Sequence, residues 1–324
     1  MVNTKEIKKR INSVKNTKKI TKAMEMIAAV KMRKAIQAAV NTRDYSALAN
    51  NLMDNLSGKK IDHPLARNKS IEEFDNSFEN QVKSDKPEFT GKHLLIVITS
   101  NRGLCGSYNA KIIKKAYEFI SKEKKTEEVF DVLAIGSKAA LFAKRNKLNL
   151  ISLFDSIGDT PTYDELLPVS NLVQEKFLNG TYDKVTLFFT NYISGLSQEV
   201  IQRQLLPISR ESIIESFEQV GDERTKKDHN KNKFDSIEIS EYEYEPNKKR
   251  VLNYLLPMLV EVLIYQAVLE SSASEHSSRM MAMKNASDSA SEMIDNLTLE
   301  FNKGRQAAIT QEISEIVGGA VALE

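Results

Sequence analysis

The chain has 324 residues, 28% of them charged and 41% hydrophobic, with 12 glycines, 7 prolines and no tryptophan. Its formal net charge of +2 excludes a partner chosen by bulk charge, and the single cysteine, Cys105, excludes an internal disulfide and fits a reducing compartment. The charged N-terminus lacks a secretory leader's apolar core, and the most apolar stretch, 254–269, contains Pro257 and Glu261 and falls short of the roughly 20 apolar residues of a membrane span, so no direct membrane insertion is expected.

From Asn3 to about Leu56 there is no proline or glycine, and Ile7, Ile11, Val14 and then Ile20, Met24, Ile27 step by three and four. That spacing predicts a helix roughly 80 Å long with a narrow apolar seam of the coiled-coil type. Alternating strands and helices follow. Strands are expected at 93–99, 129–135, 148–153 and 184–192, and helices at 107–123, 137–147 and 163–177. A β-α-β-α order argues for a mainly parallel, open sheet. Segments 199–205 and 237–244 would add edge strands, and the polar stretches 67–86 and 221–235 read as exposed loops.

The chain then returns to helix from about Arg250 to Val317, with Met283, Ala286, Ala290, Met293 and Leu297 as its seam and only Pro257 and Gly304 as breakers. Residues 1–43 hold twelve Lys/Arg against Glu6 and Glu25, while residues 258–324 hold ten acids against four bases. Two long helices of opposite charge at the chain's ends most simply form an antiparallel coiled coil. The domains expected are an N-terminal helix over 1–57, a central Rossmann-like α/β domain with two long polar loops over 58–246, and a C-terminal helix over 247–324.

The stretch LLIVITSNRGLCGSYN, residues 94–109, has the outline of a phosphate-binding loop: an apolar strand, a turn with Gly103 and Gly106, then a helix. A Walker A loop needs Lys-Ser/Thr after its last glycine, whereas here Ser107 and Tyr108 follow Gly106 and the nearest lysine is Lys111. A dinucleotide fingerprint needs three glycines, and Asn101 occupies the first position. The two glycines are better read as serving positive φ and tight packing. The four histidines have no metal-ligand spacing, and neither GxSxG nor HExxH occurs, so no catalytic, cofactor or metal residue is assigned. A basic N-terminal helix leaves open an adaptor that binds nucleic acid or a membrane surface.

The run IKKRINSVKNTKKITKAMEMIAAVKMRKA (7–35), the run ASEHSSRMMAMKNASDSASEMIDNLTLEFNKGRQAAITQEISEIVGGA (273–320) and the central TSNRGLCGSYN together resemble the γ subunit family of the F-type ATP synthase. Inside the second run, Ile309, Thr310, Glu312, Glu315, Gly319 and Ala320 match the family's signature. The resemblance implies a non-catalytic rotor: a coiled-coil shaft standing in a ring of three α and three β subunits, with a Rossmann-like domain that carries no nucleotide. It implies that rotation driven by an ion-fed membrane ring cycles the β subunits, with the shaft also regulating ATPase activity. Partners so implied are the α and β subunits, an ε subunit and the membrane c-ring, with no nucleic acid. The location implied is peripheral, on the cytoplasmic face of the cell membrane. Carried residue by residue, the resemblance makes Arg305, Gln306 and Thr310 candidates for contact with a β-subunit loop, and Met24 with the basic run 15–22 the opposing shaft surface. The segment SEYEYEPNK makes Tyr242 and Glu245 candidates for the foot on the membrane ring. The paired redox cysteines of the chloroplast form are absent, so thiol control of that kind is not expected.

Overall fold

The computed structural model describes residues 4–57, 63–66, 91–123, 129–208, 245 and 247–321. The expected loops 67–86 and 221–235 and the expected strand 237–244 lie outside the described residues. Among the described residues, the α-helices and strands run in the order α1 (Thr4–Ser57), β1 (Lys92–Ile98), α2 (Tyr108–Glu123), β2 (Val129–Ile135), α3 (Ser137–Arg145), β3 (Asn149–Phe154), α4 (Tyr163–Leu178), β4 (Lys184–Tyr192), β5 (Gln198–Leu206) and α5 (Lys248–Val321), with a 3-10 turn at Pro64–Ala66 after α1. The chain divides into two compact units: residues 1–30 with 279–324, and residues 31–278.

Unit 1 is helical. On α1 the buried and half-buried positions run through Thr4, Ile7, Ile11, Val14, Lys18, Thr21, Glu25 and Ala28; on α5 they run through Met280, Met283, Ser287, Ala290, Ile294, Leu297, Phe301 and Gly304. Both series alternate steps of three and four, the heptad pattern that keeps one stripe facing a partner helix. A side chain added at Gly304 would stand 3.3 Å from Thr4 Cγ2, which places the first turn of α1 against that glycine and makes the pairing antiparallel. The seam departs from the apolar spacing of the sequence. Ile20 is 61% exposed, Ile27 55% and Met293 52%, so these three lie beside the seam rather than in it. Small and polar residues take their places, because small side chains let two helix axes approach closely.

Unit 2 is a three-layer α/β sandwich. Its five strands have the order β3-β2-β1-β4-β5, with β1–β2, β1–β4 and β2–β3 parallel and β4–β5 antiparallel. The mainly parallel open sheet expected from the sequence is therefore present, with the segment near 199–205 as its antiparallel edge. Parallel strands buried on both faces need continuous apolar runs, and Leu94–Ile98 and Val132–Ile135 supply them. Leu94, Ile96 and Ile98 face α4 and α5; Leu95 and Val97 face α2 and α3.

Pro257 does not break the last helix. It lies inside α5, and its carbonyl accepts a 3.1 Å bond from Gln174 Nε2 of α4. By length and composition α5 passes for a membrane span. Its apolar stretch is instead core: Leu256, Leu259, Val260, Leu263 and Ile264 are all at most 4% exposed.

Two polar groups titrate inside the sheet layers. Burial, and then the charge of Lys184, pull His93 down to about 4 from an ordinary 6.5, among the rings of Phe119 and Phe130 at 6.2 and 5.6 Å. Tyr182 donates a 2.8 Å bond to Asp131 Oδ2, and burial pushes its hydroxyl pKa well up.

Candidate functional site

Two places compete for function: the glycine turn at the carboxyl ends of the strands, and the surface of the paired helices. In open α/β sheets ligands bind where the strand order reverses, and here that point lies between β1 and β4, beside the turn that follows β1.

That turn is bonded into itself. Ser100 N donates to Asn109 Oδ1 at 3.0 Å, Ser100 Oγ to Arg102 O at 2.6 Å and Asn109 Nδ2 to Ser100 Oγ at 2.7 Å. Tyr108 N and Lys111 N are bonded to Cys105 O and Ser107 O. Of these, Tyr108 N is an amide that a phosphate at the helix N-terminus would need, and it serves the turn instead, while Lys111 N makes the helix's own bond one turn back. Asn101, where a dinucleotide loop has its first glycine, bridges outward: its Nδ2 donates to Asp155 O at 2.8 Å and its Oδ1 accepts from Ser137 N at 3.0 Å. It stitches the turn to the ends of β3 and α3. Cys105 is 2% exposed, and Asn109 Nδ2 lies 3.2 Å from its sulfur, so it packs as a small buried side chain.

The glycines divide in role. Gly106 has φ 58°, as expected for a turn. Gly103 does not fit that expectation: a side chain there would meet nothing within 4 Å, and the positive φ beside it, 62°, belongs to Leu104. The tightly packed glycine is Gly136, which sequence reading missed. Its φ is 93°, and a Cβ there would fall 2.2 Å from Thr99 O. Its only signal was its place between a strand and a helix.

On the helices, Met24 is half-buried at the flank of the seam. Arg305, Gln306, Ile309, Thr310, Glu312 and Glu315 are all exposed, as is every residue of 305–317. Thr310 Oγ1 donates to Gln306 O at 2.9 Å, and Glu315 accepts from Gln311 Nε2 at 2.9 Å, so both tie to their own helix. Ile309, Ile313, Ile316 and Val317 are 46%, 56%, 73% and 57% exposed, an apolar stripe at helical spacing with no cover among the described residues. Gly319 and Ala320 lie within α5. Glu245 is exposed just before α5, and Tyr242 lies outside the described residues.

A mainly parallel, Rossmann-type sheet on a chain whose long terminal helices pair with each other defines the class: an α/β domain that carries a coiled coil. Residues 3–323 match the family model described as ATP synthase. The ATP synthase gamma chain of Roseiflexus castenholzii is 39% identical over 323 residues, covering 100% of this chain and 99% of that one; that of Nitrosospira multiformis is 37% identical, covering 100% of both. Among solved structures, the central stalk and c-ring of Tetrahymena thermophila mitochondrial ATP synthase gives a TM-score of 0.54 at 24% identity, covering 83% of this chain and 99% of that one. The rotor of the Euglena gracilis enzyme gives 0.56 at 16% identity over 94% and 98%. The chain belongs to the ATP synthase γ-chain family. It is a non-catalytic subunit of that membrane-associated complex, and the comparisons give no support to the nucleic-acid or membrane adaptor.

Proposed function

We propose that this chain is the central shaft of a rotary ATP synthase on the cytoplasmic face of the cell membrane, and that α5 beyond Gly304 is the part that engages the catalytic ring. The observation that carries this reading is the exposed tip: α1 begins at Thr4, opposite Gly304, and every residue of 305–317 is exposed. A helix exposed on all sides, with an exposed stripe of isoleucine and valine, is suited to a surrounding protein sleeve. The sleeve is the ring of three α and three β subunits. Arg305 meets carboxylates of a β-subunit loop with its fork of donors, Gln306 and Thr310 lie on the same stretch, and Met24 with the basic run 15–22 offers the facing surface of α1.

A pair of helices has no threefold axis, so three β subunits around it meet three different faces. Each site then has a different conformation and affinity, and rotation exchanges them; differential contact biases each population, as coupling requires. Tyr242 and Glu245 rest on the membrane c-ring, with an ε subunit beside them. The working division into an N-terminal helix to 57, a central domain to 246 and a C-terminal helix from 247 follows these roles.

The test is co-expression with the organism's α and β subunits, followed by ATPase assay. One copy of this chain per three β, with activity that depends on it, supports the reading. A chain that stays alone, and that binds nucleotide or DNA by itself, sinks it.

A further inference from the structure

We infer that residues 271–278 of α5 form a torsional key, gripped from two directions within unit 2, and that Asp159 is its bolt. The inference rests on the rotor reading. Hydroxyls inside helices ordinarily bond back to the carbonyl one turn earlier, and several of unit 1 do, among them Ser291 to Ser287 O and Thr298 to Ile294 O. The buried serines of 271–278 reach out instead. Ser271 Oγ accepts from Thr190 N at 3.2 Å, and Ser274 Oγ donates to Thr190 O at 3.2 Å, so two consecutive turns of α5 hold both backbone groups of one β4 residue. Ser277 Oγ donates to Gly195 O at 2.9 Å, and Ser278 Oγ to Gln198 Oε1 at 3.1 Å, in and beside the β4–β5 turn. Ser271, Ser274 and Ser277 are at most 2% exposed.

The second direction is the segment between β3 and α4. Ser272 Oγ donates to Asp159 O at 2.6 Å, and His276 Nε2 lies 3.8 Å from Asp159 Oδ1. Ser272 and His276 share a helix face about 100° round the axis from Ser271, one residue's rotation. The other carboxylate oxygen of Asp159 pairs with Lys31 of α1. One loop residue thereby holds both helices.

A helix bonded on a single face can roll on that face; one bonded on two faces has to break both sets to turn about its axis. Buried apolar contact resists separation but is non-directional and resists rolling poorly. Directional bonds supply what it lacks. On the rotor reading, torque carried by the sheet reaches α5 in part through these bonds. The serines and Asp159 are positioning residues, remote from nucleotide chemistry.

The test uses the complete synthase in sealed vesicles, with Asp159→Asn combined with Ser274→Ala. ATP hydrolysis and ATP-driven proton pumping are measured on the same vesicles, with the thermal midpoint of the complex. The expected result is hydrolysis close to wild type, an unchanged midpoint, and protons pumped per ATP reduced to roughly half, with Asp159→Glu close to wild type. Asp159→Asn alone, at a half-exposed position where folding is not at risk, shifts the same ratio in the same direction. An unchanged ratio in both variants overturns the key; so does a parallel fall of hydrolysis, pumping and midpoint, which marks a merely structural role. If the wild-type chain itself fails to assemble with α and β, the rotor reading fails and the key falls with it.

Discussion

The two units hold their helices by opposite means. Unit 2 buries α5 against a sheet and another helix, with Leu256, Val260 and Ile264 wholly enclosed. Unit 1 pairs two helices along a single stripe, where Thr21 is 9% exposed and Ser287 5%, and Lys18 and Glu25 are only half-buried. A three-layer core keeps its side chains from water on every side. A two-helix seam covers one stripe and leaves the rest of each helix wet. Enclosure is thus the mark of unit 2, and exposed helix surface the mark of unit 1.

Truncation should expose that division most strongly. Ile264→Ala in unit 2 should lower stability by about 3 kcal/mol, since a fully enclosed side chain leaves a cavity. Ile11→Ala, 8% exposed in the thin seam, should cost about half as much. Denaturant unfolding of the two variants checks the ratio, and equal losses would mean that the seam is as well packed as the sandwich.

Acid should act on unit 2 next. His93 is held near 4, below its unfolded 6.5, so its neutral form is the folded form. The stability it carries is complete above about 6.5 and is lost as pH falls through that value toward 4, on the order of 3 kcal/mol. His93→Phe should flatten the thermal midpoint between pH 7 and pH 5 relative to wild type. If the variant keeps the wild-type slope, His93 is not the titrating group.

Smaller effects belong to unit 1. Thr21 Oγ1 bonds to its own helix, at Lys18 O, so Thr21→Val replaces a buried hydroxyl by a methyl of similar shape. A gain of about 0.5 kcal/mol is expected, read as a higher unfolding midpoint; a loss would show that the hydroxyl reaches across the seam. Smallest of all, Arg305→Ala with Gln306→Ala should move stability by less than about 0.5 kcal/mol, both being exposed. The same double variant should lower coupled turnover, and wild-type turnover in the assembled complex would remove these residues from the β contact.

The legibility of the sequence followed the same division. Strands β2 and β4 begin and end where composition places them, because strands buried on both faces keep apolar runs at their centres, Val132–Ile135 and Leu187–Phe189. Both terminal helices were legible from the rarity of breakers. The seam was not. Ile20, Ile27 and Met293 have the right spacing and the wrong face, while Lys18, Thr21 and Ser287 have the right face and the wrong chemistry. Hydropathy reports what prefers to be dry; a close two-helix contact selects for what is small. The serine bonds to Thr190 and the bridging role of Asp159 join residues 81 to 128 positions apart, and no local pattern encodes them.

Gly136 carries a consequence for variation. Its backbone turns with φ 93° directly over Thr99 O, so even alanine would collide with an atom that cannot move without dragging the end of β1. At Gly103, in the same neighbourhood, a side chain would enter open space. A saturation library should therefore return an empty column at 136 and a crowded one at 103. The glycine that catches the eye in the loop is the replaceable one, and the one that tolerates no heir is the quiet glycine a strand away.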